Sequence, residues 1–337
     1  MLLLWLDVEE EELDVFVVIV FLVVVSDCSM DCLHPIYLDD PDFFEYNCYC
    51  RDNGFGYRVK KIAVPCGKCP SCVYSTAQEW RVRIDEEFRN STNALFVTLT
   101  YNDESLPLSV GTTYSGERVV VPSVCKRDVQ LFLKRLRSYY NSDSIRYFIV
   151  SEYGPSTLRP HYHGILFNIP GFNPRNQKSL CKVSEIIGEK WDNGFVKCDI
   201  VNPARIGYVT KYICSTMDLP CEYVKPFRLM SRRPALGISY LDRLDRIDWH
   251  KNNLACYVPD GSYKLRMPRY YKRHIFDDDE MLMIRQLADE RRMQEHLAYD
   301  NDQYRAEFYA GVDRRRDKID KFIRNFNNKY VKKRKDL

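Results

Sequence analysis

The chain has little that would hold it in a membrane or export it. Its longest apolar run, "VFVVIVFLVVV" at residues 15–25, falls well short of the about 20 residues a helix needs to span a bilayer. The first 29 residues hold seven acids and neither lysine nor arginine, whereas a secretory signal opens on a basic stretch. With no export signal, the 13 cysteines do not read as a disulfide framework. The phosphate-cradling pattern G-x4-G-K-[ST] occurs nowhere, which excludes a P-loop motor within this chain. Histidine is scarce, with six in 337 residues. An excess of basic charge looks scarce too, since the formal net charge is only +3.

That average conceals a division. Beyond the acidic first 29 residues, the chain from 30 to 337 carries a net +10, and residues 314–337 hold eleven basic residues against three acidic ones. Such a body favours a polyanionic partner. Residues 1–29 therefore read as a dispensable or non-native leader, with Met30 as the working start. Residues 30–90 form a cysteine-rich segment that ends in a helix. "CGKCPSC" sets Cys66, Cys69 and Cys72 at C-x2-C spacings, where Gly67 and Lys68 let the backbone curl so that thiolates face one ion. A structural zinc site needs four ligands, and the remainder would come from Cys48 or Cys50, or from Cys32 with His34. Reduced, partly buried thiols are the alternative.

Periodicity outlines the elements beyond that segment. Residues 71–88 have helical spacing, with Trp80, Ile84 and Phe88 on one stripe. "ALFVTLTY" (94–101) reads as a buried strand, and 102–122 as a loop with a small hairpin near Ser115 and Gly116. Ser123 is placed to cap a helix whose Val129, Leu133 and Leu136 make an apolar stripe. Strands at 144–154 and 161–168, a helix at 179–191, a strand at 194–201 and a helix at 203–215 that opens on proline complete the order. This predicts an α+β domain over 91–250, of the split βαβ type, with one antiparallel sheet and helices on one face. Residues 251–337 read as a helical, basic extension.

Two of the six histidines stand one residue apart in "RPHYHGILF" (159–167). On a strand, residues i and i+2 leave the same face, so His161 and His163 can converge on one ion. Glu152, on the preceding strand, would add a carboxylate and make a three-ligand site with open positions. Such a site suits a divalent Lewis acid that polarises a phosphate. Imidazole favours Mn²⁺ over Mg²⁺, and the carboxylate suits both. In "YVTKY", Tyr208 and Tyr212 are i and i+4 neighbours on a helix, with Lys211 near their face. A phenol of ordinary pKa near 10 attacks poorly at neutral pH, but an ammonium and a metal-held phosphate make that attack feasible.

Taken in order, "FVTLTY", "E…HYHG" and "YVTKY" resemble the three motifs of HUH endonucleases, which initiate rolling-circle replication. With "CLHPI" after Met30 and "CGKCPSC" upstream, residues 30–250 resemble the replication initiators of gokushoviruses, small single-stranded DNA phages of the microvirus group. The resemblance implies an HUH/RRM-like fold and a nickase specific for single-stranded origin DNA. His161, His163 and Glu152 would hold Mg²⁺ or Mn²⁺. One tyrosine would form a 5′-phosphotyrosine and free a 3′-OH for a host polymerase, and the second would act at the end of the round. Strand separation would fall to a host helicase, in the cytoplasm of a bacterial host and away from membranes. The rival readings are a non-catalytic, zinc-containing DNA-binding protein and a virion scaffold.

Overall fold

The computed structural model describes residues 32–39, 61–154, 156–214, 219–260, 263–298, 302–309, 311 and 313–330. The acidic leader, Cys48 and Cys50 lie outside them. Two short antiparallel strands, β1 (Ile36–Asp39) and β2 (Lys61–Val64), precede helix α1 (Pro70–Asn90). Strand β3 (Ala94–Tyr101) is followed by a hairpin of β4 (Leu108–Thr112) and β5 (Arg118–Pro122), then α2 (Lys126–Tyr140). Next come β6 (Arg146–Tyr153), β7 (Pro160–Phe167), α3 (Gln177–Trp191), β8 (Gly194–Ile200) and α4 (Pro203–Cys214). After the short strand β9 (Arg228–Met230) and a 3₁₀ turn (Ile238–Asp242) stand α5 (Leu244–Asn252), β10 (Tyr257–Asp260), β11 (Tyr263–Arg266) and α6 (Arg269–Ile275). The last helices are α7 (Asp278–Ala298), α8 (Asp302–Tyr309) and α9 (Arg314–Tyr330).

The central sheet has the order β8-β3-β7-β6-β9, with every neighbouring pair antiparallel. The α+β reading and the antiparallel sheet hold. The expectation of helices on one face does not. Leu95, Val97, Leu99 and Tyr101 of β3 pack with Phe132 and Leu136 of α2 and with Ile187 and Trp191 of α3. Ala94 and Phe96 point the other way, into a second core with Ile84 of α1 and Ile206 and Val209 of α4. A strand that is apolar at both odd and even positions is buried on both faces, and each face needs its own cover. The sheet is the middle of three layers.

Local signals explain some boundaries and miss others. Asn176 caps α3 by accepting hydrogen bonds from the Lys178 and Ser179 N–H groups. Asn141 ends α2 in the left-handed region, its N–H bonded to the carbonyls of Arg137 and Ser138. Ser123 does not cap α2. The helix starts at Lys126 with Cys125 in the cap position, and the Ser123 hydroxyl donates to the Val124 carbonyl instead. α1 is tied to the sheet by a largely buried ion pair between Glu87 and Arg146 on β6. Glu87 also accepts from the Gly237 N–H at 2.7 Å, and Arg146 donates to the carbonyls of Pro234 and Ala235, each at 3.0 Å. A smaller core of Tyr240, Met267, Tyr271 and Ile275 gathers the later elements against Val82 of α1. Among the described residues, no helix is long and apolar enough to cross a membrane.

Candidate active site

Strand pairing puts the charged and polar side chains on the face covered by α1 and α4. His161 stands opposite Thr100 on β3 and Glu152 on β6, and His163 opposite Thr98 and Val150. Directly paired residues share a face, so Thr98, Glu152, His161 and His163 emerge together beside Phe96 and Ile165. Gly164, next to His163, points to the opposite face. A Cβ there would come within 2.6 Å of Ile149 Cγ1, so the bare backbone lets β6 and β7 pack closely behind the histidines.

Glu152 and His163 are both buried. His163 Nδ1 bonds to the Thr98 hydroxyl at 3.1 Å, and its Nε2 lies 3.2 Å from Glu152 Oε2. Thr98 thus fixes the ring and turns Nε2 toward the carboxylate, the kind of outer-shell interaction that orients a ligating imidazole. The His161 and His163 rings are parallel within 4°, with centroids 6.5 Å apart. Burial pushes the His163 pKa down from 6.5 to about 4. Burial, reinforced by His163 and Arg159, also lowers that of His161. Both rings are therefore neutral at pH 7, the form with a lone pair to give. Two imidazole nitrogens and a carboxylate oxygen on one face fit a divalent ion of the Mn²⁺ or Mg²⁺ type.

Helix α4 lies across this face, seated through Ile206 and Val209. It brings both tyrosines to the histidines. The Tyr212 ring stacks on His163, with centroids 4.5 Å apart and planes 6° from parallel. Tyr208 meets His163 edge-on at 5.8 Å and Phe96 at 5.9 Å. The Tyr212 hydroxyl donates to the Tyr208 hydroxyl. Tyr208 is 44% exposed, whereas Tyr212 is half-buried, and burial together with the bond to Tyr208 holds its pKa well above the ordinary 10. Lys211 lies in the last turn of the same helix.

Sequence reasoning misses Thr98 and Phe96, although the parity of "FVTLTY" puts both on the face of a paired histidine strand. Away from the sheet, Cys66, Cys69 and Cys72 gather with Cys32, their ligand atoms all within 4.8 Å of one another. His34 is exposed and outside this group.

Residues 94–217 match the family model for the replication-associated protein ORF2, a span that contains the histidines, Glu152 and both tyrosines. The chain is 28% identical over 227 residues to the replication-associated protein ORF2 of Spiroplasma virus 4, covering 63% of this chain and 68% of that protein. It is 28% identical over 242 residues to the replication-associated protein VP4 of Bdellovibrio phage phiMH2K, covering 64% and 70%. To the replication-associated protein ORF4 of Chlamydia phage 1 the identity is 24% over 239 residues, covering 64% and 55%. No solved structure matches the chain.

Proposed function

We propose that this chain, a relative of the replication-associated proteins of microvirus-like phages, is a replication initiator that nicks and rejoins single-stranded origin DNA through a 5′-phosphotyrosine. The carrying observation is the packing of α4 on the histidine face, with Tyr212 stacked on His163 and bonded to Tyr208. His161, His163 and Glu152 would hold Mg²⁺ or Mn²⁺, which when bound neutralises and polarises the scissile phosphate. Tyr208 is the first nucleophile. Its oxygen is the exposed one of the pair, and Tyr212 already donates to it, which favours charge on Tyr208. The phenol oxygen attacks phosphorus in line, the P–O3′ bond breaks, and the 3′-oxygen leaves with a proton as a free 3′-OH. Tyr212 serves the later transfer that closes the displaced circle. A host polymerase extends the 3′-OH, and a host helicase supplies the strand separation for which this chain has no P-loop.

The test is incubation with origin-bearing single-stranded DNA and Mn²⁺, read on a denaturing gel. A covalent protein–DNA band is expected. It should vanish in a His161→Ala, His163→Ala chain that keeps most of its DNA affinity, because ligands to the ion do not themselves grip the phosphates. Cleavage by the double variant would contradict the metal assignment. Salt-sensitive binding with no adduct under any metal would point instead to the non-catalytic DNA-binding reading.

A further inference from the structure

We propose that Cys32, Cys66, Cys69 and Cys72 bind one zinc ion as four thiolates, and that this ion ties the β1–β2 ribbon to the first turn of α1. The sulfur geometry is the first ground. Cys32 Sγ lies 3.8 Å from Cys69 Sγ, and Cys66 Sγ lies 4.0 Å from Cys72 Sγ. Tetrahedral coordination with Zn–S bonds of about 2.3 Å puts the sulfurs about 3.8 Å apart. A disulfide would bring them to about 2.05 Å, and all four are free thiols.

The backbone around them is shaped for negative sulfur. Gly67 takes φ +73°, with open space where a side chain would be. That left-handed turn directs the Lys68 and Cys69 N–H groups to Cys66 Sγ, at 3.4 and 3.3 Å. The Cys66 N–H in turn donates to Cys32 Sγ at 3.3 Å. Cys69 occupies the cap position of α1, Pro70 opens the helix, and Cys72 stands in its first turn. Two of the four sulfurs therefore sit at the positive end of a helix. A closed set of four soft ligands, with no position left for water or substrate, belongs to a structural ion and selects zinc over Mg²⁺ or Mn²⁺.

The fold supplies the need. β1 is exposed along its whole length, and Ile36, Tyr37 and Leu38 are each at least half exposed. A two-stranded ribbon without an apolar face is marginal in water. Pairing of Ile36 with Val64 brings Cys32 and Cys66 near one end of the ribbon, where the ion would replace the missing core. Immediately beyond Cys72, Val73, Tyr74 and Ala77 receive Phe326 and Tyr330 of the basic helix α9 and touch Ile213 of α4. Anchoring the first turn of α1 thus steadies the seat of both helices.

The proposal is independent of nicking and is read by metal content. The full chain is purified with the substitutions His161→Ala and His163→Ala, so that metal at the sheet face does not count, and is analysed by elemental mass spectrometry. One zinc per chain is expected, retained in Cys48→Ser and Cys50→Ser and lost in Cys32→Ser. Should Cys32→Ser fail to fold, cobalt exchanged into the parent chain gives the second reading. Intense tetrahedral bands with thiolate-to-cobalt charge transfer, together with four thiols protected from alkylation, are expected. Iron in place of zinc, no bound metal, cobalt bands without thiolate character, or zinc lost with Cys48 or Cys50 but kept without Cys32 would each overturn it.

Discussion

At the scale of single residues, the histidine face is a balance between burial and partners. His163 has its two nitrogens committed to Thr98 and Glu152, and burial keeps it neutral. The pKa of the folded form, about 4, lies below the ordinary 6.5. The unfolded chain therefore takes up the proton first as pH falls. The contribution to stability is fully present above pH 6.5 and is lost progressively toward pH 4. In metal-free buffer, the melting temperature should fall through that window, and His163→Gln should make the slope shallower. An unchanged slope would show that His163 already ionises in the fold. The i, i+2 spacing of the histidines was legible in the sequence because strand parity is local. The stacking of Tyr212 on His163 was not, since it depends on how α4 crosses β7, a relation between segments with no signature in either.

Among the elements, most helices and strands of the 94–214 stretch were legible from their periods, and the misses have identifiable causes. β9 has three residues, held between Pro226 and Pro234, too few to show an alternation. Ser123 has the chemistry of a cap, but α2 begins two residues too late for it to reach the first-turn amides. The one-sided sheet was the costlier error. The alternate positions Phe96 and Val97 are both apolar, and that doubling already marks a strand covered twice. The ion pair between Glu87 and Arg146 is the main polar bond between α1 and the sheet. Removing one partner leaves the other charged and buried. Arg146→Ala should therefore cost about 3–5 kcal/mol, measured by urea unfolding. A loss below about 1 kcal/mol, the range of an exposed pair, would mean that water reaches Glu87.

For the whole molecule, charge and catalysis meet on one side of α1. The basic helix α9 is seated through Phe326 and Tyr330, while Lys318, Lys321 and Arg324 remain exposed. Replacing these three with Gln should weaken single-stranded DNA binding and lower its salt dependence by about 0.7 in log–log slope for each phosphate no longer neutralised. The single-turnover nicking rate at saturating DNA should stay the same. A falling rate with unchanged affinity would place α9 in the chemistry and not in the capture of the strand. The central claim is that a tyrosine of α4 attacks a phosphate held at the histidine face, with the exposed Tyr208 first. Its most direct test is peptide mapping of the covalent adduct from one turnover on a single-stranded origin oligonucleotide, with Tyr208→Phe and Tyr212→Phe in parallel. The account predicts DNA attached to Tyr208, no adduct in Tyr208→Phe, and a normal first adduct in Tyr212→Phe. Attachment at Tyr212 alone, or no adduct from the parent chain, would contradict it.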